Sequence, residues 1–212
     1  MKAALAVARK DLLTEWRSRE LVPALGQFVL LALVIAVFAF DLDGSSVGRV
    51  APGILWLVLL FAGLVAFGRA FAAEKEQSSL EALLMTPAGR VSVFAGKALA
   101  AAAVLLVLEA LLVPGLALFL GVLLSPGAVL AVALSTLGMA ALGCLFSALA
   151  AQTRARELLL PVLALPLWVP FVVVGGRALM GQGGLQGLGL LLDFDILFVV
   201  VAGLASHFVL DD

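Results

Sequence analysis

The chain has 212 residues, of which 64% are apolar and 13% are charged, and its mean hydropathy is +1.23. An apolar share of this size lies far outside ordinary globular usage and indicates an integral membrane protein. The formal net charge is −1 and no basic run is dense, so nothing in the charge favours a nucleic-acid partner.

A charged segment, residues 1–20, precedes the first apolar run. Within it, Leu5, Ala8, Leu12 and Trp16 recur at helical spacing, and Trp with flanking basic residues suits the headgroup level of a bilayer. We therefore predict an amphipathic helix in the membrane interface, with a solvated cytoplasmic extension of the first span as the alternative. No small-residue cleavage site follows promptly, which favours a retained anchor over a signal peptide.

Six apolar segments reach or approach the roughly 20 residues that cross a bilayer as a helix. They cover residues 21–40, 52–67, 98–124, 128–150, 158–174 and 188–210. Their apolar runs are continuous and lack the alternation of barrel strands, and lipid offers no partner to exposed backbone groups. The sequence thus predicts an all-α membrane protein with a single transmembrane domain, residues 1–212.

A polar segment separates the second and third spans. Ser78 and Glu81 have the spacing of a capping box that begins a short helix, and Pro87 with Gly89 ends it. The leucines that share one face of this helix are Leu80, Leu83 and Leu84. A helix this short is not stable alone, so we expect it to dock onto another protein. We call residues 73–90 the coupling segment, because such a knob could carry motion from a soluble partner to the spans.

Glu109 lies well inside the third span. A central charged residue costs about 2.5–3.5 kcal/mol on insertion scales, so such residues usually face protein or water and often mark a functional pathway. The alternative is a protonated glutamic acid that hydrogen-bonds a neighbouring helix. Asp193 and Asp195 lie nearer the outer end of the last span, where exposure at a mouth is the simpler interpretation.

The later spans carry packing signals of low specificity. Gly143, Ser147 and Ala151 recur every four residues and predict close approach of another helix. We expect three prolines to break up the fifth span, namely Pro161, Pro166 and Pro170. The glycine-rich stretch 175–189 is expected to form an outer loop or a shallow re-entrant turn.

No catalytic, cofactor or metal site is predicted. Cys144 is the sole cysteine and can form no internal disulfide, and His207 is the sole histidine, too little for a haem or metal site. The pair Gly96-Lys97 lacks the upstream glycine and the hydroxyl residue of a phosphate-binding loop. The chain is therefore not expected to bind ATP itself.

Orientation follows from the basic residues, eleven of thirteen of which fall on one side of the predicted spans. Only Arg49 and Arg177 fall on the other side. Because basic residues concentrate in cytoplasmic loops, we expect both termini and the coupling segment to lie in the cytoplasm.

Short motifs along nearly the whole chain resemble a known family. In the N-terminal half they are Lys10-Asp11-Leu12, Glu15, Arg17-Ser18-Arg19-Glu20, Pro52-Gly53, Leu55-Trp56 and Phe61-Ala62-Gly63-Leu64. They are densest at Arg69, Phe71, Glu74, Glu76, Leu80-Glu81, Leu83-Leu84, Pro87, Arg90 and Gly96-Lys97, and they return as Leu165-Pro166-Leu167 with Pro170. On these motifs the chain resembles the haem exporter protein B family (CcmB), the membrane subunit of an ATP-binding-cassette (ABC) transporter in bacterial cytochrome c maturation.

The resemblance implies a type-2 ABC permease-like fold and a noncatalytic permease subunit, not an enzyme, in the bacterial inner membrane. A separate ATPase subunit would bind ATP and dock on the coupling segment. The residues assigned to this coupling are Glu74, Glu76, Ser78, Leu80, Glu81, Leu83, Leu84, Pro87 and Arg90. ATP hydrolysis would then drive haem delivery or release of a haem-loaded periplasmic chaperone.

The resemblance also implies partners. They are the ATPase, a haem-handling membrane subunit, the periplasmic haem chaperone and a second copy of this chain, in an assembly of two permeases and two ATPases. Haem would be handled by the complex, with no cofactor bound directly by this chain. Two alternatives stay open: a generic type-2 permease that exports a lipid, polysaccharide or drug, and a secondary carrier that uses Glu109 as its proton site.

Overall fold

The computed structural model describes residues 2–39, 44–71, 89–153, 156–182 and 184–209. Within these ranges the chain forms seven α-helices and no strand. They are α1 (Lys2–Ser18), α2 (Leu21–Ala39), α3 (Gly44–Ala70), α4 (Arg90–Leu120), α5 (Pro126–Ala151), α6 (Arg156–Leu179) and α7 (Gly184–Val209). Helices α2 to α7 are each long and apolar enough to cross a membrane. The predicted all-α fold with six membrane-spanning helices is confirmed.

Several helix ends follow from local sequence. The Ser125 hydroxyl accepts a hydrogen bond from the Ala128 N–H at 3.2 Å and caps α5, with Pro126 in the first turn. At the end of α4, Gly121 adopts a left-handed conformation with φ of 67°, which glycine reaches without steric cost. These caps place the α4–α5 turn where the sequence changes from apolar to turn-forming residues.

Helix α5 is the centre of the bundle. It packs against α3, α4, α6 and α7, while α2 packs against α3 and α4, and α1 packs against α4. Most of α5 is buried, whereas α2 and α7 keep a largely exposed apolar surface. Large exposed side chains such as Phe38 and Leu204 lie on this outer surface. A ring of apolar helices around a buried central helix is the arrangement expected when lipid is the solvent.

Contacts at two glycines give the relative direction of α3 and α6. Gly63 lies against the Trp168 ring and Gly68 against Leu160, so α3 and α6 are antiparallel. The start of α4 packs against α1. We call this side of the bundle the α1 end, and the α4–α5 and α6–α7 turns lie at the opposite end.

Glycines permit the closest helix contacts. A Cβ on Gly143 would lie 2.6 Å from Cγ of Phe67, and a Cβ on Gly96 would lie 2.6 Å from the Ala4 carbonyl oxygen. The first contact joins α5 to α3 and the second joins α4 to α1. The prediction that Gly143 allows close approach of another helix is confirmed.

Two expectations are wrong, one for the fifth span and one for the stretch that follows it. All three of its prolines lie inside the continuous helix α6, because neighbouring helices and small backbone adjustments can satisfy the carbonyls that proline frees in a bundle. The stretch 175–189 is largely helical, since α6 continues to Leu179 and α7 begins at Gly184. A Cβ on Gly175 would lie 3.0 Å from Cη2 of Trp56 and closer still to Cζ2, so this glycine makes room for a helix contact and not for a turn.

Candidate functional site

A buried lysine joins three elements at the α1 end. The side chain of Lys97 is buried near the start of α4, where its Nζ donates to the Ala70 carbonyl at 2.7 Å and lies 3.3 Å from a carboxylate oxygen of Asp11. It also lies 4.9 Å from the centre of the Phe71 ring. A cation is favourable at the C-terminal carbonyls of a helix and above an aromatic face. Lys97 therefore connects α1, the end of α3 and the start of α4, and we call these contacts the Lys97 junction.

The turn between α1 and α2 belongs to the same region. The Glu15 carboxylate accepts hydrogen bonds from the N–H groups of Leu21 and Val22, at 2.8 and 2.9 Å, and so caps α2 with a negative charge at its N-terminus. Arg69, in the last turn of α3, donates to Glu20 at 2.9 Å. The latter pair is exposed and contributes little energy, but it lies beside the Lys97 junction.

Sequence reasoning missed this junction because it chose another face of α1. The buried face consists of Ala4, Val7 and Ala8, with Asp11 at the next helical position. Ala8 is the member of the predicted apolar face that is buried, whereas Leu5 and Trp16 point away from the bundle, with 61% and 75% exposure. The useful signal was a stripe of small residues that ends in a carboxylate, together with a lone lysine at the start of an apolar span.

The predicted coupling residues fall almost entirely outside the described part of the chain. Those outside it are Glu74, Glu76, Ser78, Leu80, Glu81, Leu83, Leu84 and Pro87. Arg90 is described and is the first residue of α4. Phe71 is the last described residue before the coupling segment, and Gly89, near the end of that segment, is the next described residue. The Lys97 junction thus holds the described helix ends that flank this segment.

A second group of polar residues lies inside the bundle, in the half away from α1. Thr136 of α5 donates a hydrogen bond from its hydroxyl to the Glu109 carboxylate, and both side chains are buried. Ser135 donates to the Ala131 carbonyl at 2.8 Å and lies beside the contact between Trp56 and Gly175. Glu109 therefore faces α5 and not lipid. This geometry agrees with the second interpretation of Glu109 given above, a glutamic acid that hydrogen-bonds a neighbouring helix.

Asp195 of α7 is also buried in this polar layer. Its side chain is only 7% exposed, and neither carboxylate oxygen has a hydrogen-bond partner among the described residues. One of these oxygens lies so close to Gly138 of α5 that no Cβ could fit there. The expectation of an exposed mouth is wrong for Asp195, although Asp193 is exposed. The signal for burial was the helical stripe that Asp195 forms with Leu191 and Ala202.

The remaining candidate ligands are scattered. Cys144 is buried within α5, and His207 lies in the last turn of α7. Within the described ranges, no three residues among histidine, cysteine, aspartate and glutamate are grouped so that they could hold a metal ion. The buried ionisable residues of the described ranges lie in two places: Lys97 in the junction at the α1 end, and Glu109 and Asp195 inside the bundle.

Comparison with known proteins covers nearly the whole chain. A family model described as CcmB protein matches residues 2–210. The chain is 35% identical to heme exporter protein B of Paracoccus denitrificans over 153 residues, which are 71% of this chain and 70% of that protein. It is 32% identical to heme exporter protein B of Rhodobacter capsulatus over 185 residues, 84% of this chain and 80% of the relative, and 31% identical to that of Pseudomonas aeruginosa over 189 residues, 87% and 82%. The chain belongs to the CcmB family.

Proposed function

We propose that this chain is the noncatalytic membrane permease subunit of an ABC complex for cytochrome c maturation. Membership of the CcmB family and six helices able to cross a membrane support this role. The structural observation that carries the proposal is the Lys97 junction, which joins α1, α3 and α4 beside the coupling segment. A soluble partner bound at this end would push on helices that are already tied together.

In this proposal the α1 end faces the cytoplasm and the chain lies in the inner membrane. The concentration of basic residues on this side supports the orientation. A separate ATPase binds ATP and contacts the coupling segment, with Leu83 and Leu84 in an apolar groove of the partner. Glu74, Glu76 and Arg90 then set the register at the rim of that contact, as rim charges commonly do.

The output of the complex concerns haem. The names of the relatives describe heme exporters, and on that basis ATP hydrolysis is coupled to haem delivery or to release of a haem-loaded periplasmic chaperone. The assembly contains two copies of this chain and two ATPase subunits, with a haem-handling membrane subunit. ATP and haem belong to the complex, and this chain acts by moving its helices.

The test replaces Leu83 and Leu84 together with aspartate. Charges placed in an apolar contact cost several kcal/mol if they stay buried and unpaired. We expect ATPase copurification and cytochrome c maturation to fall together while the chain still inserts, because every span is unchanged. The matched control replaces Leu123 and Leu185, two leucines that are each 87% exposed at the opposite end. If the Leu83/Leu84 variant keeps its ATPase and full maturation activity, the coupling assignment fails.

A further inference from the structure

An apolar groove runs between α3 and α6 in the half of the bundle away from α1. It has a volume of about 650 Å³, and Trp56, Phe61, Leu165 and Val173 contribute to its walls. Phe61 is 54% exposed and Val173 is 47% exposed, so the groove opens sideways on the outer surface of the bundle. In a membrane this surface faces lipid or another protein, and an apolar cavity does not hold ordered water.

Two hydrogen-bond donors, Trp56 and Arg177, lie in the part of the groove that is farthest from the α1 end. The Trp56 side chain is 3% exposed, yet its indole N–H has no acceptor among the described residues. It faces Gly176, where an added Cβ would lie 3.6 Å from Nε1. Arg177 follows at the mouth of the groove, is exposed, and lies in the last turn of α6. A buried donor without an acceptor is costly, so this site fits a ligand that supplies an oxygen.

The length of the groove matches one lipid leaflet. From Leu165 to Met180, both of which line it, α6 rises by about 22 Å at 1.5 Å per residue. Half of a bilayer of about 40–45 Å, including headgroups, has the same thickness. The apolar walls therefore run from near the membrane centre to the level of the headgroups. Arg177 lies near the headgroup end of these walls, and the Trp56 N–H lies against Gly176, the residue that precedes Arg177.

We propose that this groove holds one anionic phospholipid. An acyl chain lies along the apolar walls, the Trp56 N–H donates to an ester or phosphate oxygen, and the Arg177 guanidinium pairs with the acidic headgroup. Charge-assisted hydrogen bonds from arginine to phosphate are among the strongest available to a surface side chain. In the proposed orientation this lipid belongs to the outer leaflet. The choice of leaflet rests on the proposed function, whereas the binding itself does not.

Native mass spectrometry of the full chain tests the proposal. The chain is taken from vesicles that contain equal parts of phosphatidylglycerol and phosphatidylethanolamine. We expect the wild type to retain phosphatidylglycerol preferentially, and Arg177→Gln to reduce that preference about tenfold, which corresponds to roughly 1.4 kcal/mol. Trp56→Phe should lower retention of both lipids, because the ester oxygens are common to them. The matched control is Arg49→Gln, an exposed arginine near the same end that does not line the groove.

A substitution that narrows the groove shows whether its occupant is a lipid or another protein. Gly53 lines the groove and has open space at its Cβ position, so Gly53→Leu should fold normally. We expect it to lose the bound lipid while the oligomeric mass stays unchanged. If the oligomer dissociates instead, the groove is an interface between copies and the lipid proposal is wrong. Equal retention of the two lipids by the wild type, or no effect of Arg177→Gln, also overturns it. None of these readings requires the ATPase, so they are independent of the proposed coupling.

Discussion

Lys97 and Asp195 are both buried ionisable residues, with 2% and 7% exposure, but their surroundings differ. Lys97 lies at the α1 end with a carboxylate, a backbone carbonyl and an aromatic ring as partners. Asp195 lies inside the bundle without a hydrogen-bond partner among the described residues. Burial alone therefore does not show that an ionisable residue stabilises the fold. Lys97 stabilises a junction, whereas the fold gains nothing evident from the Asp195 carboxyl.

The location of each residue explains this difference. Lys97 lies where α3 ends, so free carbonyls of the last turn are available to a cation. Asp195 lies inside the bundle, where its carboxylate and the Phe171 ring both lie against Gly138 of α5. The Phe171 ring packs edge-on against Phe194 and tilted against Phe198, with ring centres 6.1 and 5.7 Å away. A carboxyl in such a place costs folding energy and is therefore a candidate for a functional role.

The largest expected effect is that of Asp11→Asn. This change removes the charge of Asp11 beside the buried Lys97 ammonium, and loss of one partner from a buried pair costs on the order of 3 kcal/mol. Unfolding in detergent, followed by circular dichroism, measures the loss. Glu20→Gln is the control, since it breaks an exposed pair with Arg69 that contributes about 0–1 kcal/mol. Equal stability of the two variants would show that the Lys97 junction is not a stabilising unit.

The second-largest loss of stability is expected from a change in helix packing. Its size can be compared with the effects of the polar substitutions. Gly143→Ala places a methyl group against the Phe67 ring, and overpacking of this kind costs about 1–3 kcal/mol. Gly203→Ala, in α7, is the control, because no atom lies within 4 Å of its Cβ position. The melting temperature in detergent should fall for the first variant and stay the same or rise for the second. A fall in both would indicate a general sensitivity of the helices to substitution.

Asp195→Asn is expected to leave stability unchanged or to raise it by up to about 1 kcal/mol, because it removes a buried group that can carry charge without breaking a hydrogen bond. Chemical unfolding under the same conditions measures this change. A clear loss of stability would mean that the carboxylate has a structural partner, and the contrast with Lys97 would disappear. Loss of cytochrome c maturation at normal stability would instead assign the carboxyl to function.

The smallest effect is expected for Glu109→Gln. The amide can keep the hydrogen bond with Thr136, so the change in stability should stay below about 1 kcal/mol. Assembly and maturation, assayed in cells, should both be retained. If the variant assembles normally and maturation collapses, the charge of Glu109 matters and the structural interpretation is wrong.

The sequence predicted the six spans well, since continuous apolar runs have few alternatives in a bilayer. It also predicted that Gly143 permits a close helix contact. The prediction that Pro161, Pro166 and Pro170 break the fifth span was wrong. The expectation that proline breaks a helix applies to an isolated helix, whereas in a bundle the neighbouring helices can satisfy the carbonyls that proline frees. Local sequence does not show which of these freed carbonyls accept a hydrogen bond from another group.

The polar groups were harder to predict. The partner of Lys97 lies on α1, 86 residues away in sequence, and only the packing of α1 on α4 brings them together. The prediction of an exposed mouth for Asp195 used only its position along α7. It did not use the face of the helix on which Asp195 lies. Its burial depends on Gly138, whose missing side chain makes room for the carboxyl. Both contacts are properties of helix pairs and not of either helix alone.

The central claim is that the α1 end, and not the polar layer inside the bundle, receives the ATPase. The most direct test compares two variants, Lys97→Met and Glu109→Gln, that are present in the membrane in equal amounts. The measurement is the amount of ATPase that copurifies with each variant. We expect Lys97→Met to lose most of its ATPase, because α1, α3 and α4 are no longer joined at the coupling segment. Glu109→Gln should keep wild-type levels. Equal ATPase binding by both variants, or loss only with Glu109→Gln, would contradict the account.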